Sequence, residues 1–226
     1  MTVEKFSSDF LDAEMIAASG VASSSPSRVF LFSKRAIDLG FAILLLPVFL
    51  VIAAILLLLN RFFNPGPLFY HQKRVGKDQQ MFRILKFRTM AGTRDESRFA
   101  DDEADRINQM GCFLRRTRID ELPQILNVLA GQMSMVGPRP EQVKFYNEYV
   151  AGIPGYALRQ QVRPGITGLA QLKYGYTSDI VGTSKKLKWD LEYIRRMGFG
   201  IELYIIWQTI LFVFQRLLNQ RTRTKL

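Results

Sequence analysis

One stretch limits the fold more than any other. In SKRAIDLGFAILLLPVFLVIAAILLLLNRFF, no residue from Phe41 to Leu59 is charged or strongly polar. A helix of that length is about what a bilayer core requires. Pro47 falls inside the run, where it removes a helical hydrogen bond and predicts a break or kink. Lys34 and Arg35 precede the run and Arg61 follows it. Positive charge normally marks the cytoplasmic side, so a single crossing would misplace one end. A helix that dips into the membrane, breaks at Pro47 and returns to the same face removes the conflict. An ordinary kinked transmembrane helix is the alternative, and both stay open on this pattern.

Elsewhere the chain divides into a polar, small-residue tail (1–28), the anchor (29–62) and a cytoplasmic domain with interfacial amphipathic helices (63–226). The tail lacks the basic start and early apolar core of a secretory signal. The fold class expected is a helix-rich α/β mixture. PLFYHQ and QMFRILKFRTM read as strands, RINQMGCFLRRTR as a basic helix, and LPQILNVLAG as a helix stopped by Gly131. QVRPGITGLAQLKYG, rich in Gly and Pro, reads as an ordered loop, and KKLKWDLEYIRRM as an amphipathic helix. The helix predicted from Phe199 carries a long apolar face with Trp207 and a basic end, which suits a membrane surface or a core helix with a frayed end. RDESRFADDEAD lacks the glycine and terminal glutamate of a calcium loop and reads as solvated.

Charge and composition narrow the chemistry. The formal net charge is +11, which favours an anionic partner. The chain has 1 His (His71) and 1 Cys (Cys112), so an internal disulfide and a Cys/His zinc cluster are both excluded. Any Ser-His or Cys-His dyad would have to use His71, which leaves carboxylates as the natural catalytic candidates. No P-loop, no Gly-x-Gly-x-x-Gly and no internal repeat is present. The basic residues are spread along the chain without a nucleic-acid reading module, so no nucleic-acid partner is expected.

Asp120 and Glu121 stand out in RIDELPQILNVLAGQMSMVGPRPEQ. Asp120 or Thr117 could cap the following helix, since Asp and Thr are favoured caps. A helix dipole and Arg115, Arg116 and Arg118 would keep both carboxylates ionised. An ionised Asp can also bind Mg²⁺ or attack phosphorus. Lys86, Arg88, Arg139 and Arg163 each sit among Pro, Gly or aromatic neighbours. Arg139, held between Pro138 and Pro140, suits bidentate bonding to phosphate oxygens.

Together, KRAIDLGFAILLLP, GPLFYHQKRVG, FRILKFRTM, DELPQILNVLAGQMSMVGPRP and RPGITGLAQ resemble the bacterial sugar transferase family, the monotopic phosphoglycosyl transferases. The resemblance runs in order from about Lys34 to the C-terminus. It implies transfer of a sugar-1-phosphate from a UDP-sugar donor to a polyprenyl (undecaprenyl) phosphate acceptor, with release of UMP, as the initiating step of polysaccharide or glycoconjugate assembly. By the same resemblance Asp120 is the nucleophile, forming a phosphosugar-enzyme intermediate, and binds Mg²⁺, while Glu121 supports metal and proton handling. Substrate-binding roles fall on Lys86, Arg88, Arg115, Gln124, Pro138, Arg139, Pro140 and Arg163. The family's re-entrant helix breaks at a Ser-Pro pair; here the pair is Leu46-Pro47, so the serine is missing. Larger members carry a further multi-span N-terminal domain, and this chain corresponds to the catalytic unit. The expected setting is the bacterial inner membrane and its phospholipid, with the catalytic domain on the cytoplasmic face; a homodimer is compatible with it. The competing reading is an inactive membrane-tethered protein that binds lipids or partners. No motif reads a sugar's hydroxyl pattern, so the sugar is left open.

Overall fold

The computed structural model describes residues 26–90, 107, 109–174 and 180–223, with side chains described to residue 215. Most of the tail and the acidic RDESRFADDEAD segment lie outside the described residues. Helix α1 (Arg28–Phe63) opens on Ser27, whose hydroxyl accepts from the Phe30 amide at 3.2 Å. The helix continues through Pro47 without interruption. The expected break is therefore not present as a gap in the helix: Ala42 and Phe49, on either side of Pro47, pack into one core and hold both halves in place.

Strands β1 (Phe69–Val75) and β2 (Met81–Phe87) form the two sequence-predicted strands and pair as an antiparallel hairpin. Its turn passes through Asp78 and Gln79 in left-handed conformations. Helix α2 (Gln109–Thr117) leads through a 3-10 turn (Ile119–Glu121) to α3 (Gln124–Leu129). Gly131, at φ +80, ends α3 as expected. Its amide donates to Val128 and the Gln132 amide to Asn127, the paired closure that a left-handed glycine permits.

Strand β3 (Ser134–Val136) pairs in parallel with β4 (Gly165–Thr167). Helices α4 (Val143–Gly152), α5 (Leu169–Tyr174), α6 (Ile180–Arg195) and α7 (Phe199–Arg223) complete the chain. The expected loop QVRPGITGLAQLKYG thus contains β4 and α5. Its glycines are needed for contact rather than for looseness: a Cβ on Gly165 would come within 2.1 Å of the Gly137 amide nitrogen. The result is a helix-rich mixed α/β fold.

Two apolar clusters support it. One joins α4, α6 and α7 around Tyr149, Leu187, Leu191 and Ile205. The other lies under α1, where Ala42, Phe49 and Leu56 meet Phe82, Ile84 and Phe87 of β2 and Ile125 and Val128 of α3. Phe49 stacks on Phe87 with ring centroids 5.9 Å apart. At its start α1 is bolted down by charge. Asp38 accepts from the Ser134 hydroxyl (2.8 Å) and the Met135 amide (3.0 Å), and Lys34 reaches Glu202 of α7 at 2.7 Å. At its far end Asn60 donates to the Gly66 carbonyl and Asn64 to the Arg88 carbonyl. The outward side of α1 remains apolar and exposed, with Leu44 70% and Leu58 72% accessible.

Candidate active site

Asp120 and Glu121 occupy the 3-10 turn that follows α2, entered through Arg118 in a left-handed conformation (φ 60). Neither carboxylate caps a helix. The N-cap of α3 is Pro123, with no side-chain bond, and Thr117 turns back to the Phe113 and Leu114 carbonyls. The capping expectation fails because Leu122 and Pro123 separate the dyad from α3.

The two carboxyls are both buried yet differ sharply. Glu121 Oε1 accepts from Arg139 Nη2 at 2.7 Å and Lys86 Nζ at 2.8 Å, with Arg118 Nη1 3.7 Å away. Burial alone would raise its pKa, but Arg139, Lys86 and Arg118 outweigh burial and hold it well below the usual carboxylate range. For Asp120, burial wins and pushes the pKa up, with neighbouring Glu121 adding to the rise against Lys86, Arg118 and Arg115. Asp120 Oδ1 is buried and has no hydrogen-bond partner. The arginines that favour an ionised carboxylate therefore prevail at Glu121, while at Asp120 burial works against them.

Arg139 is fixed through its backbone. The carbonyl of Pro138 accepts from the Gly165 amide (2.9 Å), that of Arg139 from Arg159 Nη2 (2.9 Å), and that of Pro140 from Arg74 Nη1 (3.1 Å). Proline has no amide hydrogen to anchor such a turn, so donors from three other segments hold it carbonyl by carbonyl. Arg159 is itself buried, 2.7 Å from Asp190 and 3.5 Å from Glu141, with Asp190 raising its already high pKa against the effect of burial. Pro138 and Pro140 thus serve to present Arg139.

Next to this cluster lies a cavity of about 400 Å³ whose charged lining residues are Arg118, Glu121, Arg139, Glu141, Arg159, Lys186 and Asp190. Glu121 lines this cavity, and Asp120 precedes it in the same 3-10 turn. Not every expected residue converges here. Arg88 spends its guanidinium on the carbonyls of Asn64, Pro65 and Pro67, closing the loop after α1. Arg163 donates to the Gly131 carbonyl at 2.9 Å, beside Arg35, which holds the Val128 and Leu129 carbonyls; both satisfy the C-terminal end of α3. Arg115 donates to Thr89 and reaches Asp120 only through charge. Gln124 is buried, its Nε2 without a partner, and does not line the cavity. Arg159, Asp190 and Lys186 were not anticipated, because nothing in their local sequence distinguishes them from ordinary helix charges.

No group of three or more His, Cys, Asp or Glu side chains is placed to hold a metal among the described residues. Mg²⁺ does not need one, since it commonly takes one or two carboxylates together with substrate phosphates and water. The unpartnered Asp120 Oδ1 is a fitting donor for such a shared ion, whereas Glu121 Oε1 is already committed to cations.

Comparison with known proteins extends this picture. The sequence model described as "Bacterial sugar transferase" matches residues 29–216. A UDP-N-acetylgalactosamine-undecaprenyl-phosphate N-acetylgalactosaminephosphotransferase of Aeromonas hydrophila is 39% identical over 84% of this chain and 45% of its own length. A UDP-glucose:undecaprenyl-phosphate glucose-1-phosphate transferase of Escherichia coli (strain K12) is 38% identical over 78% of this chain and 39% of its own length. An exopolysaccharide production protein of Rhizobium leguminosarum bv. phaseoli is 37% identical over 78% of this chain and 92% of its own length. The chain spans less than half the length of the first two relatives and nearly all of the third. A match over residues 29–216 leaves only short ends of the sequence outside it, and the chain belongs to the bacterial sugar transferase family.

Proposed function

We propose that this protein transfers a sugar-1-phosphate from a UDP-sugar to a polyprenyl phosphate, in two steps, at the cytoplasmic face of a bacterial inner membrane. The observation that carries the reading is a buried Asp120 oxygen without a hydrogen-bond partner, beside Lys86 and Arg139, which share the single Glu121 carboxylate. Buried polar atoms are almost always satisfied, so an exception within the family's Asp-Glu motif suits a group reserved for substrate.

In the first step an Asp120 carboxylate oxygen attacks the sugar-bearing phosphorus of the donor. The bond from that phosphorus to the bridging oxygen breaks, and UMP leaves with the electron pair. In the second step an oxygen of the lipid phosphate attacks the same phosphorus. The Asp120–phosphorus bond breaks, the carboxylate is restored and a polyprenyl diphosphate sugar departs. Arg139 and Arg118 offset charge on the phosphates, and Arg139 does so from a backbone that three donors hold rigid. Glu121 keeps Lys86 and Arg139 in place. Mg²⁺, held by Asp120 and substrate phosphates, would supply further neutralisation of the diphosphate. Burial of Asp120 disfavours its anionic form in the free enzyme, and a nearby cation reverses that penalty.

The membrane reading rests on α1. From Lys34, which reaches Glu202, to Asn64, which donates to the Arg88 carbonyl, the chain is tied to the same domain at both ends, a path of about 45 Å at about 1.5 Å per residue. A hydrocarbon core is about 30 Å thick, so a simple crossing would pull one of these contacts through it. A helix lying in or dipping into one leaflet keeps both, with its exposed apolar side toward lipid. That arrangement supports the re-entrant reading and leaves Arg35 and Arg61 on one face.

The test is order of release. Enzyme given donor and Mg²⁺ alone should release one equivalent of UMP, and rapid-quench intact-protein mass spectrometry should show a sugar-phosphate adduct on the peptide containing Asp120. Adding polyprenyl phosphate should discharge it, and steady-state kinetics should be ping-pong. Intersecting kinetics without an adduct would reduce Asp120 to a metal ligand. No UMP release across a broad donor panel would favour an inactive binder.

A further inference from the structure

Strand β2 pairs with β1 along one edge, and no strand lies on its other edge among the described residues. Alternate residues of an antiparallel strand turn their backbone groups to opposite edges. The Arg83 carbonyl and the Leu85 amide therefore share an edge, and one side chain takes both. Asn127 of α3 accepts from the Leu85 amide through Oδ1 (3.0 Å) and donates to the Arg83 carbonyl through Nδ2 (2.8 Å), much as a neighbouring strand would. Nδ2 also donates to Gln132 Oε1 at 2.7 Å, so both of its hydrogens are used and the carboxamide is fixed in direction. The Asn127 carbonyl accepts from the Gln132 and Met133 amides at the end of α3, which holds the residue itself in place. Asn127 is buried.

Lys86 directly follows this clipped stretch of β2, and its Nζ lies 2.8 Å from Glu121 Oε1. Glu121 belongs to the 3-10 turn that leads into α3, the helix that carries Asn127. One short segment therefore meets β2 twice, with a carboxylate at Lys86 and with a carboxamide at the backbone of Arg83 and Leu85. Phe82 and Ile84 also pack with Ile125 and Val128 of α3. Apolar packing is non-directional, so it joins strand and helix without fixing their register. A lysine ammonium rides on a flexible four-carbon stem, and what it reaches depends on where its backbone is held. We propose that Asn127 is a positioning residue for the transfer: by holding the edge of β2 it keeps Lys86 on Glu121, and so keeps Lys86 and Arg139 gathered on one carboxylate beside Asp120. The assignment rests on the transferase reading above and adds to it a residue outside the cavity lining.

The experiment uses the full chain in nanodiscs, and its first arm needs no turnover. Brief labelling with acetic anhydride, read by peptide mass spectrometry, compares Lys86, whose ion-paired side chain is 16% exposed, with Lys77 at 46%. Asn127→Ala should raise the labelling of Lys86 relative to Lys77 severalfold. Val128→Ala removes packing from the same helix without touching the carboxamide, and should leave that ratio unchanged. No rise in Asn127→Ala overturns the assignment, and so does an equal rise in both variants, which would mean general loosening. In the kinetic arm Asn127→Ala should lower kcat on the order of 10²-fold, the scale of a small misplacement near the chemistry. In a Lys86→Ala background the same change should cost little more, because residues acting through one contact are not additive. Losses that simply multiply would leave Asn127 a cap on a strand edge and overturn the proposal. Should Asn127→Ala not fold, Asn127→Asp carries both arms. It has the same shape and keeps the Leu85 bond, but it sets an oxygen against the Arg83 carbonyl. The same effects in smaller measure support the assignment, and wild-type behaviour overturns it. A wild type without turnover would sink the transferase reading, while the labelling arm still decides whether Asn127 holds Lys86.

Discussion

At the root of α1, Asp38 and Glu202 lie buried beside Lys34; at the cavity, Asp120 and Glu121 lie buried beside Lys86 and Arg139. The two clusters use the same residue types in a similar degree of burial, yet they are finished differently. Each carboxylate oxygen at the root has a partner: Asp38 takes the Ser134 hydroxyl and the Met135 amide, and Glu202 takes Lys34 and the Tyr193 hydroxyl. At the cavity, Glu121 is crowded with cations while Asp120 Oδ1 has none. A completed cluster works as a bolt between elements. An incomplete one costs stability in the free protein and makes sense only if a ligand completes it.

The comparison breaks most visibly at Asp120. Asp120→Asn should lower turnover by on the order of 10⁴-fold or more, the scale seen when a nucleophile is removed. Its Tm should stay the same or rise, because a buried carboxylate without a partner becomes a neutral amide of the same shape. Substantial activity in this variant, or a clear fall in Tm, would place Asp120 with the structural carboxylates. Next in size is Arg139→Ala, which should lower turnover by about 10²–10³-fold, the usual scale for losing one charge-stabilising donor. Arg139→Lys should recover only part of this, since an ammonium lacks the planar fork. Unchanged donor and acceptor kinetics would remove Arg139 from the site.

At the root the expected response is the reverse. Asp38→Ala leaves the Met135 amide without its acceptor, so it should cost about 1–3 kcal/mol of stability. Turnover per folded molecule should be close to that of the wild type. Chemical denaturation in detergent, with active enzyme counted by the UMP burst, separates the two quantities. A large loss of specific activity at full stability would show that the root cluster communicates with the dyad.

How much of this was legible in the sequence follows from which features are local. The strands at PLFYHQ and QMFRILKF, the Gly131 stop and the amphipathic helix over KKLKWDLEYIRRM are set by short-range pattern and turn chemistry. The Asp120–Glu121 pair and the Pro-bounded Arg139 were visible as motifs. Contacts between distant segments were not. Arg88 and Arg163 looked like phosphate ligands because their neighbours were rigid, but carbonyls of the 64–67 loop and of Gly131 claim them. Arg159 read as one more helix charge, and only folding brings it under the Arg139 carbonyl with Asp190 behind it. The Gly-Pro run around Gly165 was read as a loop because composition reports turn tendency; its parallel pairing with β3 is set thirty residues away.

The smallest effect is also the most direct reading of the contrast within the dyad, and it concerns acid. Glu121 has a folded pKa below its ordinary value, so its stabilising share is complete above that ordinary value and is lost as pH falls through it to the folded one. Asp120 has a folded pKa above its ordinary value, so its ionised form weakens the fold at neutral pH, and that weakness is relieved as pH falls through the raised value. Acidification should therefore act in two stages. Asp120 takes up its proton first, which removes the nucleophile and leaves the fold intact or slightly firmer. Glu121 follows at lower pH, and Lys86 and Arg139 then repel each other without their shared anion. The donor-only UMP burst should accordingly fail at a higher pH than the Tm does, and Mg²⁺ should shift the burst's acid limb downward by favouring the ionised Asp120. Asp190 and Glu202 also carry raised pKa values, so the comparison that isolates the dyad is wild type against Asp120→Asn. The difference between their Tm curves should narrow as pH falls through the raised Asp120 value, and Glu121→Gln should flatten the steep loss below it. If the burst and the Tm decline together in the wild type, and the Asp120→Asn difference stays constant with pH, the two carboxyls titrate as one structural unit and the division of labour between them is lost.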